Sequence, residues 1–412
     1  VTGTGLPRLT AGLDRRGRLD FAAHRAAHGP LDLDAIAPDA LIAEAAAAGL
    51  HGRGGAGFPT ARKLEAVAAG RRPIVVANGA ESEPLSGKDR VLLEAVPHLV
   101  LDGALAAARA VGARTVIVAV PADAGRARAS LAEALAARPD ADGVTVAPVP
   151  RRYLAGEETA LVQHLGGGPL KPRVVPPRPS ERGLRRRPTL VQNVETLAHL
   201  ALVARHGAAW FRALGASTRP GSALITLSGA VARPGVYEIE TGTALGRIVD
   251  AAGGLSEPAR AVLTGGYFGT WAALDAGRTA PLDATLGCGV ICVLGESACP
   301  VAELSRTSSW LAAESARQCG PCLHGLGAIA AALRRIEAGG ADEVAAARIA
   351  HWAGQVEGRG ACHLPNGAVR FVRTGLALFA DAVEDHRRHG PCPACGRAPV
   401  LETFAPTAAA AA

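Results

Sequence analysis

The chain has 412 residues, 49% apolar and 20% charged, which excludes a disordered chain, a collagen-like repeat and a small disulfide-stapled scaffold. That length implies two to four domains rather than one core. A net charge of +7 rests on 44 basic residues, of which only Lys63, Lys88 and Lys171 are lysines. The arginines are scattered apart from Arg185, Arg186 and Arg187, and aromatics make up 3%, so platforms for stacking nucleic-acid bases are scarce and nucleic acid is not expected as a partner.

Residues 39–48 read as a helix, followed by a glycine-rich loop at 52–57 and a helix opened by Pro59 and running to about Ala69. Pro73-Ile-Val-Val-Ala reads as a buried strand, 95–111 as a helix, 114–120 as a strand, 124–137 as a helix and 143–149 as a third strand. Such alternation predicts parallel strands with helices on the sheet faces, an α/β fold. Beyond 150 comes a loop-rich stretch, proline-laden from 169 to 188, and then a helix at 189–206. Alternating runs at 223–229 and 235–240 with a helix at 245–252 predict a small α+β domain; 300–389 reads as a helical bundle, and Ala408–Ala412 as a disordered tail. No stretch reaches the roughly eighteen apolar residues of a membrane span; the segment 96–120 is broken by His98, Asp102, Arg109 and Arg114. The N-terminal residues lack the order of a secretory signal, so a cytoplasmic setting is expected.

Three clusters carry candidate chemistry. Gly52-Arg-Gly-Gly-Ala-Gly57 contains a G-x-G-x-x-G match, but a helix precedes it where the dinucleotide fingerprint requires a strand. A tight inter-helix turn is the competing reading. Asn78, Glu81 and Glu83, followed by Lys88-Asp89-Arg90, lie at the carboxyl end of the first strand, where open α/β sheets bind ligands. Glu157 and Glu158 follow the third strand with no evident basic partner and suit a ribose or ribityl hydroxyl. Either acidic pair equally suits a helix N-terminus.

Cysteines divide by spacing: Cys319-x2-Cys322, Cys362, and Cys392-x2-Cys395 have the pattern of metal or cluster ligands, with zinc and iron–sulfur both open. Cys288, Cys292 and Cys299 read as small buried apolar residues.

Taken in order, Gly52 to Thr60, Asn78 to Pro84, Lys88-Asp-Arg90, Gly156-Glu-Glu-Thr-Ala-Leu161, Asn193-Val-Glu-Thr-Leu197 and Cys319-x-Pro-Cys322 resemble the flavin-binding F subunit of respiratory complex I. That family is shared with NAD-linked hydrogenases and formate dehydrogenases. The resemblance implies a Rossmann-like FMN domain at 51–215 after an N-terminal extension at 1–50. It further implies an SLBB β-grasp domain at 216–299, a helical bundle with one [4Fe-4S] cluster at 300–390, and a Cys-containing tail at 391–412. NAD(P)H is the implied hydride donor. Gly52, Gly54, Gly55, Gly57, Phe58, Lys63, Asn78, Glu81, Glu83, Glu157, Glu158, Asn193 and Thr196 would line the cofactor cleft, with Glu83 and Glu158 as the catalytic candidates. Cys319, Cys322 and Cys362 would hold the cluster. A [2Fe-2S] partner subunit or a ferredoxin-like acceptor is implied, in a hetero-complex peripheral to a membrane assembly.

Departures are as informative. Where the family motif reads E-S-C-G-x-C-x-x-C, this chain has Glu314-Ser-Ala-Arg-Gln-Cys319, so Ala316 replaces the first ligand. Cys392, Cys395, Ser315 or water is the expected substitute, the alternative being an altered or absent cluster. Ala80, Ala66 and Arg178 replace an acid and rings that relatives place near NADH. The competing readings are a non-catalytic binding or scaffold module and a structural zinc site in the bundle.

Overall fold

The structure, a computed structural model, describes residues 5–13, 17–277, 279, 281–282 and 286–404. The expected disordered tail at 408–412 lies outside them.

Four strands, Ile74–Asn78 (β1), Thr115–Pro121 (β2), Val144–Val149 (β3) and Thr189–Asn193 (β4), form a parallel sheet in the order β3-β2-β1-β4. In β1 and β2 the apolar run is nearly continuous because helices cover both faces. Asn78 and Asn193 are register partners at the carboxyl ends of β1 and β4. Residues 189–193, expected to begin a helix, are instead this fourth strand. Thr189-Leu-Val pairs with β1, and the helix Val194–Arg212 starts only where the Asn193 side chain accepts the Glu195 N–H. The helix expected at 95–111 is preceded by a separate one at Lys88–Ala95, bent 97° from Pro97–Val111, because Pro97 cannot continue a helix but can open one. A further helix, Phe21–His28, lies in the N-terminal segment and is capped by Asp20.

A second sheet follows, built from Ser222–Gly229 (β5), Gly235–Glu240 (β6), Ala259–Thr264 (β7), Thr270–Ala272 (β8) and Val290–Gly295 (β9) in the order β8-β7-β9-β5-β6. β5 and β6 pair antiparallel as their alternation predicts, and Ile225, Ile239, Ile248 and Val293 form its core with the helix Leu245–Ala251. The remainder is helical: Pro300–Ala313, Gly327–Glu337, Ala345–Val356, Leu364–Leu378 and Ala380–His389. Among the described residues no single helix is long and apolar enough to cross a membrane.

The tightest packing in the first domain joins Pro97–Val111 to Val194–Arg212. A Cβ on Gly103 would fall 1.8 Å from the Leu197 carbonyl oxygen, so glycine is required there by approach of backbone to backbone. Gly to Ala inside a helix ordinarily stabilises by about 0.5–1 kcal/mol. Gly103→Ala is expected instead to destabilise by about 1–3 kcal/mol through overpacking, read as a lower urea midpoint; a raised midpoint would refute this contact.

Candidate electron-entry site

The glycine loop joins the helices Pro38–Ala47 and Thr60–Ala68, so it is an inter-helix connection and not the strand-to-helix turn of a dinucleotide fingerprint. Its base is closed by the Gly52 N–H donating to the Phe58 carbonyl at 2.9 Å. Gly55 and Gly57 take left-handed φ values of 108° and 60°. Arg53 fixes the loop from beneath: its N–H donates to Thr196 Oγ1 at 2.9 Å, and its buried guanidinium reaches the Ser222 carbonyl at 3.0 Å. Gly54 sits over Asn193, 3.4 Å from ideal Cβ to Cβ. Gly54, Gly55 and Ala56 are exposed, which leaves bare backbone above the carboxyl ends of β1 and β4. This suits a flavin or nucleotide, which needs close backbone approach.

Asn193 and Thr196 hold the loop and sheet together. Asn193 Nδ2 donates to Asp89 at 2.7 Å and its Oδ1 accepts from Lys88 at 3.3 Å, while Asn78 Oδ1 accepts the Ala80 N–H at 3.1 Å. Lys88 is buried with its Nζ 2.6 Å from Glu195 and 3.2 Å from Asp89. Burial opposes its charge, but Asp89 and Glu195 hold its pKa above the ordinary lysine value; Glu195 in turn is held down at about 2, burial notwithstanding, chiefly by Lys88.

The acidic pairs resolve differently. Glu81 accepts the N–H groups of Asp89 and Arg90 at 2.8 and 3.0 Å, at the start of the helix Lys88–Ala95. Glu157 is the N-cap of Glu158–Leu165, accepting the Ala160 N–H at 2.7 Å. Both thus serve helix termini. Glu158 has a basic partner after all: Lys63 Nζ stands 2.7 Å from it, both part-exposed. Glu83 is buried, accepting from the Tyr267 N–H at 2.9 Å and the Tyr153 hydroxyl at 3.1 Å, with Oε1 unpartnered. Burial pushes its carboxyl up to about 7. Phe58 keeps an exposed ring.

Cys319, Cys322 and Cys362 pack in one cluster: burial, then Cys319 and Cys362, push the Cys322 thiol up to about 12, and the buried Ser315 hydroxyl is left without a hydrogen-bond partner among the described residues. Burial raises the Cys362 thiol, with the negative charges of Glu157 and Cys319 adding to it. Ala316 is buried and offers no ligand atom. Cys392 and Cys395, expected as substitutes, lie elsewhere with Cys299 and His386, which leaves Ser315 as the side-chain oxygen beside the three thiols. Cys299 is therefore not simply a small apolar core residue. Just before Ser315, Glu314 accepts from Arg152 Nε at 2.9 Å and the Tyr153 N–H at 2.7 Å, tying this site to the flavin-side domain.

Family models match in the same order: the Nuo51 FMN-binding domain over 45–202, the SLBB domain over 224–267 and the NADH-ubiquinone oxidoreductase-F iron-sulfur binding region over 302–386. The second NADH-quinone oxidoreductase F subunit of Rhizobium meliloti is 32% identical over 381 residues, 86% of this chain and 90% of that protein.

The chain belongs to the NADH-quinone oxidoreductase F-subunit family.

The F subunit of the Streptomyces coelicolor enzyme is likewise 32% identical, over 90% of this chain and 88% of its own. Among solved structures, an NAD+-reducing [NiFe]-hydrogenase in the H2-reduced state matches with a TM-score of 0.80 and 34% identity, over 87% of this chain. The chain spans 63% of that hydrogenase chain. As a member of this oxidoreductase family it carries an FMN-binding domain and a 4Fe-4S-binding region. The family's glycine after its first cluster cysteine is Arg317 here, and Arg317 takes a left-handed φ of 51°, a conformation that glycine adopts at less cost.

Tyr153, Tyr267 and Glu314 were not identifiable as site residues from spacing, since each acts through a partner remote in sequence or through burial. Glu83 generates a pH test, with Tyr153, Tyr267, Cys288 and Cys292 the titratable groups around it. Between its ordinary value of 4.5 and about 7 the folded state holds a proton that the unfolded chain has lost. Stability therefore falls as pH rises through that window, by about 3 kcal/mol in all. Glu83→Gln is expected to flatten this slope in urea midpoints taken at about pH 5 and about pH 8; parallel slopes in both proteins would contradict it.

Proposed function

We propose that this chain is the electron-entry subunit of a hetero-complex, taking hydride from NAD(P)H at the glycine-loop cleft and passing single electrons out through the cysteine site. The observation that carries this reading is adjacency. Tyr153 donates its N–H to Glu314, next to Ser315, and its hydroxyl to Glu83, while Gln318, next to Cys319, donates to the Pro172 carbonyl. One tyrosine thus touches both an acid of the cleft and the segment that carries the cysteines.

The chemistry supplied by bound FMN and a [4Fe-4S] cluster is the exchange of a two-electron hydride for single electrons. This chain's residues bind and orient. Gly52, Gly54, Gly55 and Gly57 allow backbone N–H groups to approach phosphate, with Phe58 as an exposed ring for stacking. Asn78, Asn193 and Thr196 keep the loop seated over the sheet. Lys63 and Glu158 form a part-exposed ion pair that offers both a donor for phosphate and an acceptor for hydroxyls. Glu81 and Glu157 present helix N-termini to the cleft, and Glu83, with Tyr153 and Tyr267, closes it from behind and excludes water. Cys319, Cys322 and Cys362 supply three thiolates, and Ser315 or solvent completes the fourth corner of a cluster. The absence of rings at Ala66 and Arg178 removes about 1 kcal/mol of nucleotide stacking each, so weaker NADH binding is expected than where those rings stand. The partner is proposed to be a [2Fe-2S] subunit or ferredoxin-like acceptor, and the setting the cytoplasmic side of a membrane complex.

Anaerobic purification is expected to give about one FMN and about four irons per chain outside any other metal, with flavin absorbance bleached on NADH addition. Flavin and iron without bleaching would remove NADH as the donor, and absence of both cofactors would overturn the reading. Cys322→Ala should lose the iron and retain the flavin; loss of both would break the assignment of separate sites.

A further inference from the structure

Four side chains outside the iron–sulfur cysteines converge on one point. Cys299 precedes the helix Pro300–Ala313, His386 lies on Ala380–His389, and Cys392 and Cys395 flank the turn after it. Among the described residues this is the one set of His, Cys, Asp or Glu side chains whose ligand atoms all lie within 4.8 Å of one another. Cys299 Sγ is 3.3 Å from His386 Nε2 and 3.4 Å from Cys395 Sγ. His386 Nε2 is 3.2 Å from Cys395 Sγ, which is 3.7 Å from Cys392 Sγ.

We propose that Cys299, His386, Cys392 and Cys395 bind a single Zn2+ as a structural site distinct from the iron–sulfur site. Tetrahedral zinc with Zn–S of about 2.3 Å and Zn–N of about 2.0–2.1 Å sets ligand atoms about 3.8 Å apart for sulfur pairs and about 3.6 Å for sulfur to nitrogen. The observed separations fall within a few tenths of an ångström of those edges. They are too long for a disulfide, whose sulfurs stand about 2.05 Å apart. A four-iron cube is excluded by the opposite argument. Each of its ligands sits on a different corner, so ligand atoms are separated by the cube itself, whereas these four share room for one ion.

The surroundings agree. His386 Nδ1 faces the Ala382 carbonyl at 2.8 Å; a carbonyl only accepts, so the proton is on Nδ1 and the Nε2 lone pair is turned to the sulfurs, the arrangement that orients a ligating histidine. Cys299 caps its helix, with the Ala302 N–H 3.3 Å from its sulfur, so a thiolate there gains from the helix N-terminus. Three thiols give up protons to solvent on binding, and the resulting site carries one net negative charge, which that terminus offsets. Between zinc and ferrous iron, a mononuclear sulfur-rich site favours zinc in the order of divalent affinities.

The ion would staple the end of the described chain to the bundle. Beyond Cys395, the N–H groups of Val400 and Leu401 both donate to Glu303 at 3.1 Å, and Leu401 is buried. The Tyr267 hydroxyl donates to the Glu402 carbonyl, and Trp310 Nε1 donates to that of Phe404 at 3.2 Å.

The test is metal analysis of the full chain, purified without chelator, with X-ray absorption at the zinc edge. About one zinc per chain is expected, bound by three sulfurs and one nitrogen. Cys395→Ser and His386→Ala should lose nearly all of it and keep iron and flavin, while Cys322→Ala should do the reverse. If the zinc-site variants do not fold, the wild-type edge spectrum decides alone. No zinc after growth in zinc-supplemented medium, coordination by oxygen and nitrogen only, or loss of iron rather than zinc in Cys395→Ser would each overturn the proposal.

Discussion

A single buried ammonium organises the cleft. Lys88 is withdrawn from water between Glu195 and Asp89, and each of those acids has a second task. Asp89 receives the Asn193 amide, which locks the end of β4, and Glu195 receives the Leu224 N–H, which fastens the second sheet to the first domain. The Arg53 guanidinium adds a second buried positive charge near Glu195, so two cations face two carboxylates. Removing one member of such a set strands the others in a poor solvent, at a cost of roughly 3–5 kcal/mol. The glycine loop, both sheets and the start of the long helix therefore form one mechanical unit, and its specificity lies in charges that burial alone would disfavour.

Much of this was legible in sequence because it depends on local pattern. The strand runs at 74–78, 115–121 and 144–149 are short, apolar and bounded by turns, and a buried parallel strand has little other way to appear. The fourth strand at 189–193 escaped because only five residues separate a proline-rich loop from a helix, and its pairing with β1 spans more than a hundred positions. Helical spacing gave the helix around 95–111, but the separate helix before it has no strong cap of its own: Gly87 offers no side chain, and Glu81 supplies the acceptor from outside the helix.

The acids of the site illustrate the same limit. Sequence identified Glu81, Glu83, Glu157 and Glu158 as a group, yet nothing in their spacing separates a helix cap from a desolvated carboxyl or from half of an ion pair with Lys63. Those distinctions arise from tertiary neighbours. Sulfur behaves likewise: Cys299 looked like core filling because its partners His386, Cys392 and Cys395 are about ninety residues away, whereas the paired spacing of 319–322 and 392–395 announced itself.

Glu314 holds Arg152 and the Tyr153 amide in the residue immediately before Ser315, at the edge of the cysteine site. A clamp at that point would hold a flavin on one side and a cluster on the other at a fixed separation. Tunnelling slows steeply with separation, so a joint free to breathe would make transfer wait on domain motion. A joint held by a buried carboxylate would keep groups bound on its two sides at one separation, as in a solid junction rather than a hinged relay.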